Sequence, residues 1–263
     1  MRLPIIRGVI DRRILVNYRV DPEILARVVP SPFRPQIVGG YAIAGICLIR
    51  LKHLRPRWLP GFMGIGSENA AHRIAVEWED NGATRQGVYI PRRDSSSFWN
   101  TLAGGRMFPG VHHHSRFSVC ETSDQFSIDV SNSDGTHVAV EGQIAHDLPG
   151  SSVFGSLPQA SDFFARGSIG YSCTRRPGIF EGLELCTSNW KVIPLAIRRA
   201  ESSFFSDPSI FPRGSVEFDS ALLMRNVAHE WHGLGNLVAS ESAQACCDQP
   251  KWWSQLLPAG ASR

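Results

Sequence analysis

The sequence predicts a mainly β protein, a β-rich α+β fold with a few short helices. Short segments rich in β-branched and aromatic residues, bounded by turn residues, recur along most of the chain. Only three segments begin with a helix cap or place apolar residues at helical spacing. No linker, repeat or low-complexity segment interrupts residues 1–245, which we predict to form one domain, and residues 246–263 are predicted to be a loosely held C-terminal tail.

The first predicted elements are a strand, a capped helix and a second strand. Residues 12–20, RRILVNYRV, are rich in β-branched and aromatic side chains and predict a strand. Asp21 caps a short helix in DPEILARVV, with Pro22 at its first position, and this helix must end before Pro30. Residues 41–51, YAIAGICLIRL, predict a largely buried strand.

The middle of the chain predicts a hairpin followed by short strands. Residues 72–80, HRIAVEWED, alternate in polarity and end at the turn DNG, after which RQGVYI predicts the returning strand. Three further strands are predicted at regular spacing in HHHSRFSVCE, QFSIDVSNSDG and HVAVEGQIA. Such a series is typical of all-β architectures.

Two helices and two strands are predicted in the last third of the domain. PQASDFFARG predicts a short helix with Ser161 or Asp162 near its start. GLELCTSNWKVIPLAIRRAESSFF predicts two strands around Ile193 and Pro194. DSALLMRNVAHEW predicts a third helix, because Asp219 is a plausible cap and apolar residues follow at helical spacing.

The composition limits the kinds of partner. The net charge is only +3 and charges of both signs are interspersed, whereas a nucleic-acid site needs a basic stripe. No apolar run approaches the ~20 residues of a membrane helix. The sequence shows no signal peptide, and its six cysteines lack C-x-x-C spacing. We therefore expect a reduced, cytoplasmic protein without nucleic-acid or membrane partners, with Cys47 as a small core residue.

The stretch GVYIPRRDSSS contains two consecutive arginines, Arg92 and Arg93, at the end of a predicted strand. Consecutive side chains of a continuing strand face opposite sides. If the strand ends near Pro91, both arginines can turn inward and bind a carboxylate or enolate through charge-assisted hydrogen bonds. The alternative is a surface ion pair between one arginine and Asp94, with the other arginine in solvent.

This stretch and VNYRVDPEILARVVPSPFRP resemble the N-terminal segment of acetoacetate decarboxylases, with Pro91-Arg92-Arg93 in place of Pro-Lys-Lys. Together with SENAAHRIAVEW and FPGVHHHSRF, they make the chain resemble an uncharacterised bacterial branch of that superfamily over residues 7–235. The resemblance implies a closed, cone-like β-barrel around a small internal cavity, and an oligomer of at least two chains.

The resemblance also bears on the reaction, because the residue that forms the Schiff base in the decarboxylases is replaced here. In the decarboxylases the first lysine of the motif forms a Schiff base with the ketone. Arginine stays protonated and has no nucleophilic lone pair, and none of Lys52, Lys191 and Lys251 lies near the motif. We therefore expect the fold without Schiff-base decarboxylation.

Two further residues are placed in the site by the resemblance. Glu68, in GSENAAH, lies near the position of a decarboxylase active-site glutamate, and Arg12 lies near a cavity arginine of the relatives, with Arg13 as the competing choice. A glutamate beside arginines favours its ionised form and would act as a base. The alternatives are a turn or cap role for Glu68 and an edge-strand position for either arginine.

The histidines suggest acid–base chemistry more than metal binding. On a strand, His112 and His114 of VHHHSRF face one side, so this run supplies at most two of the three protein ligands of a catalytic zinc. HEWH, at residues 229–232, lacks one residue of H-E-x-x-H, and a site combining it with His112 or His114 is the weaker alternative. We predict no metal and no cofactor, with His112 or His114 as a general acid or base.

These observations lead to three functional hypotheses. The first is an enzyme that holds a compact keto acid, enol or other carboxylate with Arg12, Arg92 and Arg93, while Glu68 or a histidine moves a proton in an enolisation, hydration or retro-aldol step. The second is a receptor of the same fold that binds a small anion without turnover. The third is a hydrolase with a histidine-bound metal.

Overall fold

The computed structural model describes residues 4–97, 110–174 and 176–239. Within them the chain forms two helices, α1 (Pro22–Val28) and α2 (Leu157–Arg166), and a 3₁₀ turn at Gly61–Met63. The strands, in chain order, are β1 (Ile6–Val20), β2 (Arg34–Pro35), β3 (Ile37–Val38), β4 (Tyr41–Pro56), β5 (Ile65–Asp80), β6 (Ala83–Ser95), β7 (His112–His114), β8 (Arg116–Glu121), β9 (Gln125–Ser131), β10 (His137–Ile144), β11 (Ile169–Cys173), β12 (Ile179–Thr187), β13 (Ile193–Ser202), β14 (Val216–Gly233) and β15 (Leu237–Val238). The predicted mainly β fold class is confirmed.

Seven strands form a closed ring. The order is β12-β11-β6-β5-β4-β1-β14, and the pairing of β14 with β12 closes it. Neighbours in the ring are antiparallel, except that β6 and β11 are parallel. Since alternate side chains of a strand face opposite sides, each ring strand has one inner and one outer set of side chains.

A second layer covers part of the outer surface of the ring. Strands β13, β10, β9 and β8 continue from β14 in that order. Ile128 and Val130 of β9 lie in one buried cluster with Ile14 and Val16 of β1. This outer cluster therefore buries the side of β1 that faces away from the interior of the ring.

Local sequence signals explain α1 and the central hairpin. The Asp21 side chain accepts hydrogen bonds from the backbone of Glu23 and Ile24, as predicted for a helix cap, an interaction that typically stabilises by about 1 kcal/mol. The turn between β5 and β6 has Asn81 and Gly82 at φ angles of 52° and 80°, which suits the two-residue hairpin turn. Both predictions are confirmed.

Helix α2 begins earlier than predicted. Its cap is Ser156, whose side chain accepts a hydrogen bond from Gln159 N, rather than Ser161 or Asp162. Its buried residues, Ala160 and Phe164, pack with Leu15 and Leu222 in a second apolar cluster. Helix α2 thus packs against inner-facing side chains of the ring.

The predicted third helix, DSALLMRNVAHEW, is wrong, because residues 216–233 form strand β14. Residues 219–224 are all buried, since β14 has apolar contacts on both of its faces. A continuous buried run of this kind cannot be distinguished from a helix by periodicity alone. Asp219 is not a helix cap: its carboxylate accepts hydrogen bonds from Val153 N and Ser152 Oγ.

The other predicted strands are present: β1, β4, β5 and β6 are longer than predicted, and HHHSRFSVCE is divided into β7 and β8. No helix among the described residues is long and apolar enough to cross a bilayer. The predicted tail, residues 246–263, lies outside the described residues, so the domain boundary stays a prediction, as does the oligomer.

Candidate functional site

The ring surrounds a cavity of about 130 Å³ that is lined by residues from all seven ring strands. For scale, an engineered apolar cavity of roughly 150 Å³ holds a benzene molecule. The walls are mainly apolar and include Ile49, Leu51, Val88, Ile90, Leu183 and Trp231. The charged and strongly polar side chains that line the cavity are Arg13, Asn69, Arg73, Arg93, Asp94 and His112.

Strand register places several of these side chains in one row. Cys47 of β4 pairs with Ala71 of β5, Ala71 pairs with Arg93 of β6, and Arg93 pairs with His112 of β7. All four residues line the cavity. Because the alanine side chain is short, it leaves space in the middle of the row for the longer side chains on either side.

Arg13 enters the cavity from β1. Its Nε donates a hydrogen bond to Cys47 Sγ at 3.4 Å, and its Nη1 is buried without a partner among the described residues. The guanidinium lies 5.8 Å from the centre of the Trp190 ring. In the part of the chain that the structure describes, Arg13 therefore has an aromatic neighbour and a sulfur acceptor but no carboxylate partner.

Arg73 enters from β5 and is 4% exposed. Its Nη2 donates a hydrogen bond to Asn17 Oδ1, its Nε is buried without a partner in the described part of the chain, and the guanidinium lies 4.8 Å from the centre of the Phe164 ring. Burial, together with a smaller contribution from the positive charge of Arg13, lowers the pKa of Arg73 to about 10. The guanidinium nevertheless stays charged at neutral pH.

Arg93 has the same kind of surroundings. Its Nε donates a hydrogen bond to Ser172 Oγ at 2.9 Å, and burial lowers its pKa to about 10. Among the described residues, no carboxylate forms an ion pair with Arg13, Arg73 or Arg93. Asp94 also lines the cavity, but its carboxylate is bound by Arg92 and Ser115. The cavity is therefore positively charged.

Arg92 lies on the other face of β6 from Arg93. It is 4% exposed and forms ion pairs with Asp94 at 2.9 Å and Asp134 at 2.8 Å. The pairing with Asp94 is the alternative that the sequence left open, although it is buried and not at the surface. The structure does not bring Arg92 and Arg93 to one ligand, and a binding role for Arg92 stays a prediction.

Glu68 and Arg12 also lie outside the cavity, in an ion-pair cluster between the ring and β8. Arg12 contacts Glu68 at 2.5 Å and Glu121 at 2.6 Å, and Arg50 binds the same two carboxylates. The arginine that reaches the cavity from β1 is Arg13, the competing choice. The predicted roles of Glu68 and Arg12 in ligand chemistry stay predictions.

The histidines are distributed over several sites. His112 lines the cavity, whereas His114 Nδ1 lies 3.3 Å from the backbone oxygen of Ser95. His229 and His232 are three residues apart on a strand, so they face opposite sides. Within the described ranges, no three potential ligands are grouped around a metal position.

Arg73 is the cavity residue that the sequence analysis missed. A signal was available, because Arg73 shares one face of β5 with the small apolar residues Ala71 and Ala75. A charged residue on an otherwise apolar strand face needs a partner. The cavity position of Cys47 was missed as well, because a buried strand cysteine is ordinarily a core residue.

Comparison with known proteins identifies the family and the fold. The model of the family DUF2071, described as an uncharacterized conserved protein, matches residues 10–180. No curated protein matches the chain.

Several solved structures are similar over nearly the whole chain. An acetoacetate decarboxylase from Legionella pneumophila has a TM-score of 0.59 at 11% identity, covering 91% of this chain and 88% of that one. An acetoacetate decarboxylase-like enzyme from Sphingomonas wittichii RW1 has a TM-score of 0.55 at 12% identity, with 90% and 93% covered. The enduracididine biosynthesis enzyme MppR, complexed with pyruvate, has a TM-score of 0.54 at 12% identity, with 92% of each chain covered. The chain therefore belongs to the DUF2071 family and has an acetoacetate decarboxylase-like fold, as the motifs around Pro91-Arg92-Arg93 predicted.

Proposed function

We propose that this protein is an enzyme that binds a compact carboxylate, such as a small keto acid or its enol, in the arginine-lined cavity and moves a proton on it. The observation that carries the proposal is the presence of three guanidiniums, those of Arg13, Arg73 and Arg93, without a carboxylate partner in the described part of the chain.

Electrostatics favour an anionic ligand at this position. Burial of an unpaired charge is costly, by several kcal/mol in real proteins, and guanidinium groups remain charged. A carboxylate would accept hydrogen bonds from Arg13 Nη1 and Arg73 Nε, which have no acceptor among the described residues. Such charge-assisted bonds are roughly twice as strong as neutral ones.

The size of the cavity favours a small ligand. A volume of about 130 Å³ suits a molecule of a few heavy atoms. MppR, which shares the fold, was solved with pyruvate bound. A three-carbon keto acid is thus a reasonable first probe for this chain.

The side chains in the cavity suit proton transfer and do not suit Schiff-base chemistry. The described lining includes no lysine, so no amine is present there to condense with a ketone. His112 is adjacent to Arg93 in the strand register, and a histidine titrates near neutral pH. We assign His112 as the general acid or base, and the guanidiniums as the groups that stabilise an enolate oxygen.

A receptor without turnover is the second candidate. The position of Glu68 favours this candidate. Because Glu68 pairs with two arginines outside the cavity, it is not available there as a base, and the proposed proton transfer depends on His112. A receptor requires only donors and shape, whereas an enzyme requires the titratable group as well.

Two measurements test the proposal. Melting temperature is measured with small keto acids and carboxylates for the wild type, Arg93→Met and the exposed control Arg116→Met. A ligand at a hundredfold excess over its Kd stabilises the folded state by about 2.7 kcal/mol, and we expect this gain in the wild type and the control but much less in Arg93→Met. Equal responses of all three proteins, or no response, would refute the anion site.

Turnover is tested by deuterium exchange at the carbon next to the ketone, followed by NMR in D₂O. We expect exchange in the wild type and its loss in His112→Gln, with the ligand-induced melting shift retained. Binding without exchange in the wild type would establish the receptor instead.

A further inference from the structure

We propose that Cys47 is a nucleophile of the cavity and adds to the double bond of a compact α,β-unsaturated carboxylate. The inference rests on the proposed function, because the same guanidiniums hold the carboxylate, and it adds a covalent step and narrows the class of ligand. It follows from the surroundings of the Cys47 sulfur and from the nearby donors that have no acceptor among the described residues.

Cys47 lies in the wall of the cavity with positive charge around its sulfur. It is a buried, free cysteine that lines the cavity. Its Sγ accepts the hydrogen bond from Arg13 Nε at 3.4 Å, and it interacts electrostatically with Arg73 and Arg93. The thiolate is the nucleophilic form of cysteine, and neighbouring arginines favour that form.

Cys173 is a buried cysteine with different surroundings. It is not among the described residues that line the cavity, and its Sγ donates a hydrogen bond to the backbone oxygen of Pro91 at 3.5 Å. Burial raises the pKa of the Cys173 thiol to about 11, despite the charge of Arg93. A buried thiol of this kind is unreactive, so Cys173 is an internal control that should stay unmodified in the experiment below.

Two donors without acceptors favour a carboxylate next to the Cys47 sulfur. Arg13 Nη1 and Arg73 Nε are buried and have no acceptor in the described part of the chain. Arg13 Nη1 and the Nε that donates to the sulfur are bonded to the same guanidinium carbon. A carboxylate that accepts from Nη1 is therefore held by the group that contacts the thiol, so the carbons attached to this carboxylate can approach the sulfur.

The addition needs no oxidant, reductant or leaving group. The thiolate forms an S–C bond to the β-carbon, the π electron pair of the C=C bond moves towards the carboxylate, and the resulting enolate takes a proton at the α-carbon. Overall, one S–H bond and one C=C π bond are replaced by an S–C and a C–H bond. The reverse steps release the ligand.

Conjugate addition suits this cavity because it places the developing negative charge on the carboxylate itself. The guanidiniums that hold the carboxylate would stabilise that charge more strongly in the enolate than in the free acid. The apolar walls suit the carbon end of the ligand, and a volume of about 130 Å³ limits it to a few heavy atoms. A short α,β-unsaturated acid meets both conditions.

The test compares acrylate with acrylamide, which have the same carbon skeleton and differ in the negative charge. Free thiols add faster to acrylamide, because a carboxylate activates the double bond less than an amide does. Both rates are measured at each cysteine of the folded, full-length protein by peptide mass mapping, at neutral pH and fixed ionic strength. The ratio of the acrylate rate to the acrylamide rate is the acrylate preference, and the exposed Cys120 and Cys186 give its reference value.

We expect the acrylate preference of Cys47 in the wild type to exceed the reference value at least about tenfold, as electrostatic attraction into a charged cleft predicts. In Arg13→Met and in Arg73→Met it should fall to within about twofold of the reference value. The exposed control Arg116→Met should leave it unchanged.

The outcomes separate this inference from the proposed function, because binding is measured independently by the melting shift with propionate, which has no double bond. If propionate stabilises the wild type but Cys47 shows only the reference preference, the nucleophile inference is overturned and carboxylate binding stands. A high preference that survives in both arginine variants, with folding checked by circular dichroism, would also overturn it. Failure of propionate, acrylate and the keto acids to bind would overturn the proposed function as well.

Discussion

Replacement of Arg73 by methionine should make the ligand-free protein more stable. Arg73 is 4% exposed, and its Nε is buried without a partner among the described residues. The fall of its pKa to about 10 from the ordinary guanidinium value corresponds to about 3 kcal/mol, at about 1.4 kcal/mol per pKa unit. Because burial disfavours the charged form, this penalty is fully present at neutral pH and decreases only as pH rises through about 10.

The substitution also removes favourable contacts. Arg73 donates a hydrogen bond to Asn17 Oδ1, and the loss of a hydrogen bond costs about 1 kcal/mol. Methionine keeps an apolar contact with the Phe164 ring, which lies under the guanidinium. We therefore expect a net gain of about 2 kcal/mol in the free energy of unfolding.

Urea unfolding followed by circular dichroism measures this difference, provided that the slope of the transition is the same in both proteins. The exposed control Arg116→Met should change the free energy of unfolding by no more than about 0.5 kcal/mol. A less stable Arg73→Met variant with an unchanged slope would refute the idea that this charge is buried at a cost. In a saturating concentration of a keto acid or carboxylate that stabilises the wild type, the order should reverse, because the wild type gains more from the ligand.

Three further predictions concern other parts of the structure. Arg12→Met should lower the free energy of unfolding by about 3 kcal/mol in the same assay, because it leaves two carboxylates with a single arginine; an unchanged urea midpoint would contradict this. Iodoacetate should label Cys47 faster than iodoacetamide does, because the guanidiniums attract the anionic reagent. Both rates are measured by peptide mass mapping and normalised to those of the exposed Cys120 and Cys186, and equal normalised rates would count against the anion site. Burial lowers the pKa of His229 to about 4, so its unfolded form binds a proton first and stability should fall as pH drops from about 6.5 towards 4. His229→Phe should reduce that loss, and an unaltered pH profile would show that His229 is not responsible.

Local sequence signals were sufficient to predict the structural elements that depend only on neighbouring residues. Asp21 and Pro22 determine the start of α1, and Asn81 with Gly82 determines the turn of the central hairpin. The resemblance carried by Pro91-Arg92-Arg93 predicted the fold. The chemistry of arginine excluded it as the Schiff-base residue, because a guanidinium has no free lone pair in any fold.

The sequence did not determine which side chains face the cavity. Register shifts occur in the β1–β4 pairing between Ile10 and Arg12, and in the β5–β6 pairing between His72 and Ile74. A shift of one residue reverses the face that every following side chain presents. For this reason Arg13 lies inside and Arg12 outside, an alternative that strand alternation by itself left open.

Pairing between strands that are distant in the sequence determined the features that local signals did not predict. Residues 216–233 have a pattern compatible with a helix, and they form β14 because β1 on one side and β12 on the other supply their hydrogen bonds. That closure brings Arg13, Arg73 and Arg93, which are 60 and 20 residues apart in the chain, to a single cavity. The sequence by itself determined the cap of α1, the turn of the central hairpin, the fold class and the loss of the motif lysines, since these depend on residue type and near neighbours. The tertiary structure alone decided that three arginines share one cavity and that, among the described residues, none of them forms an ion pair with a carboxylate, because that depends on how seven strands close into a ring.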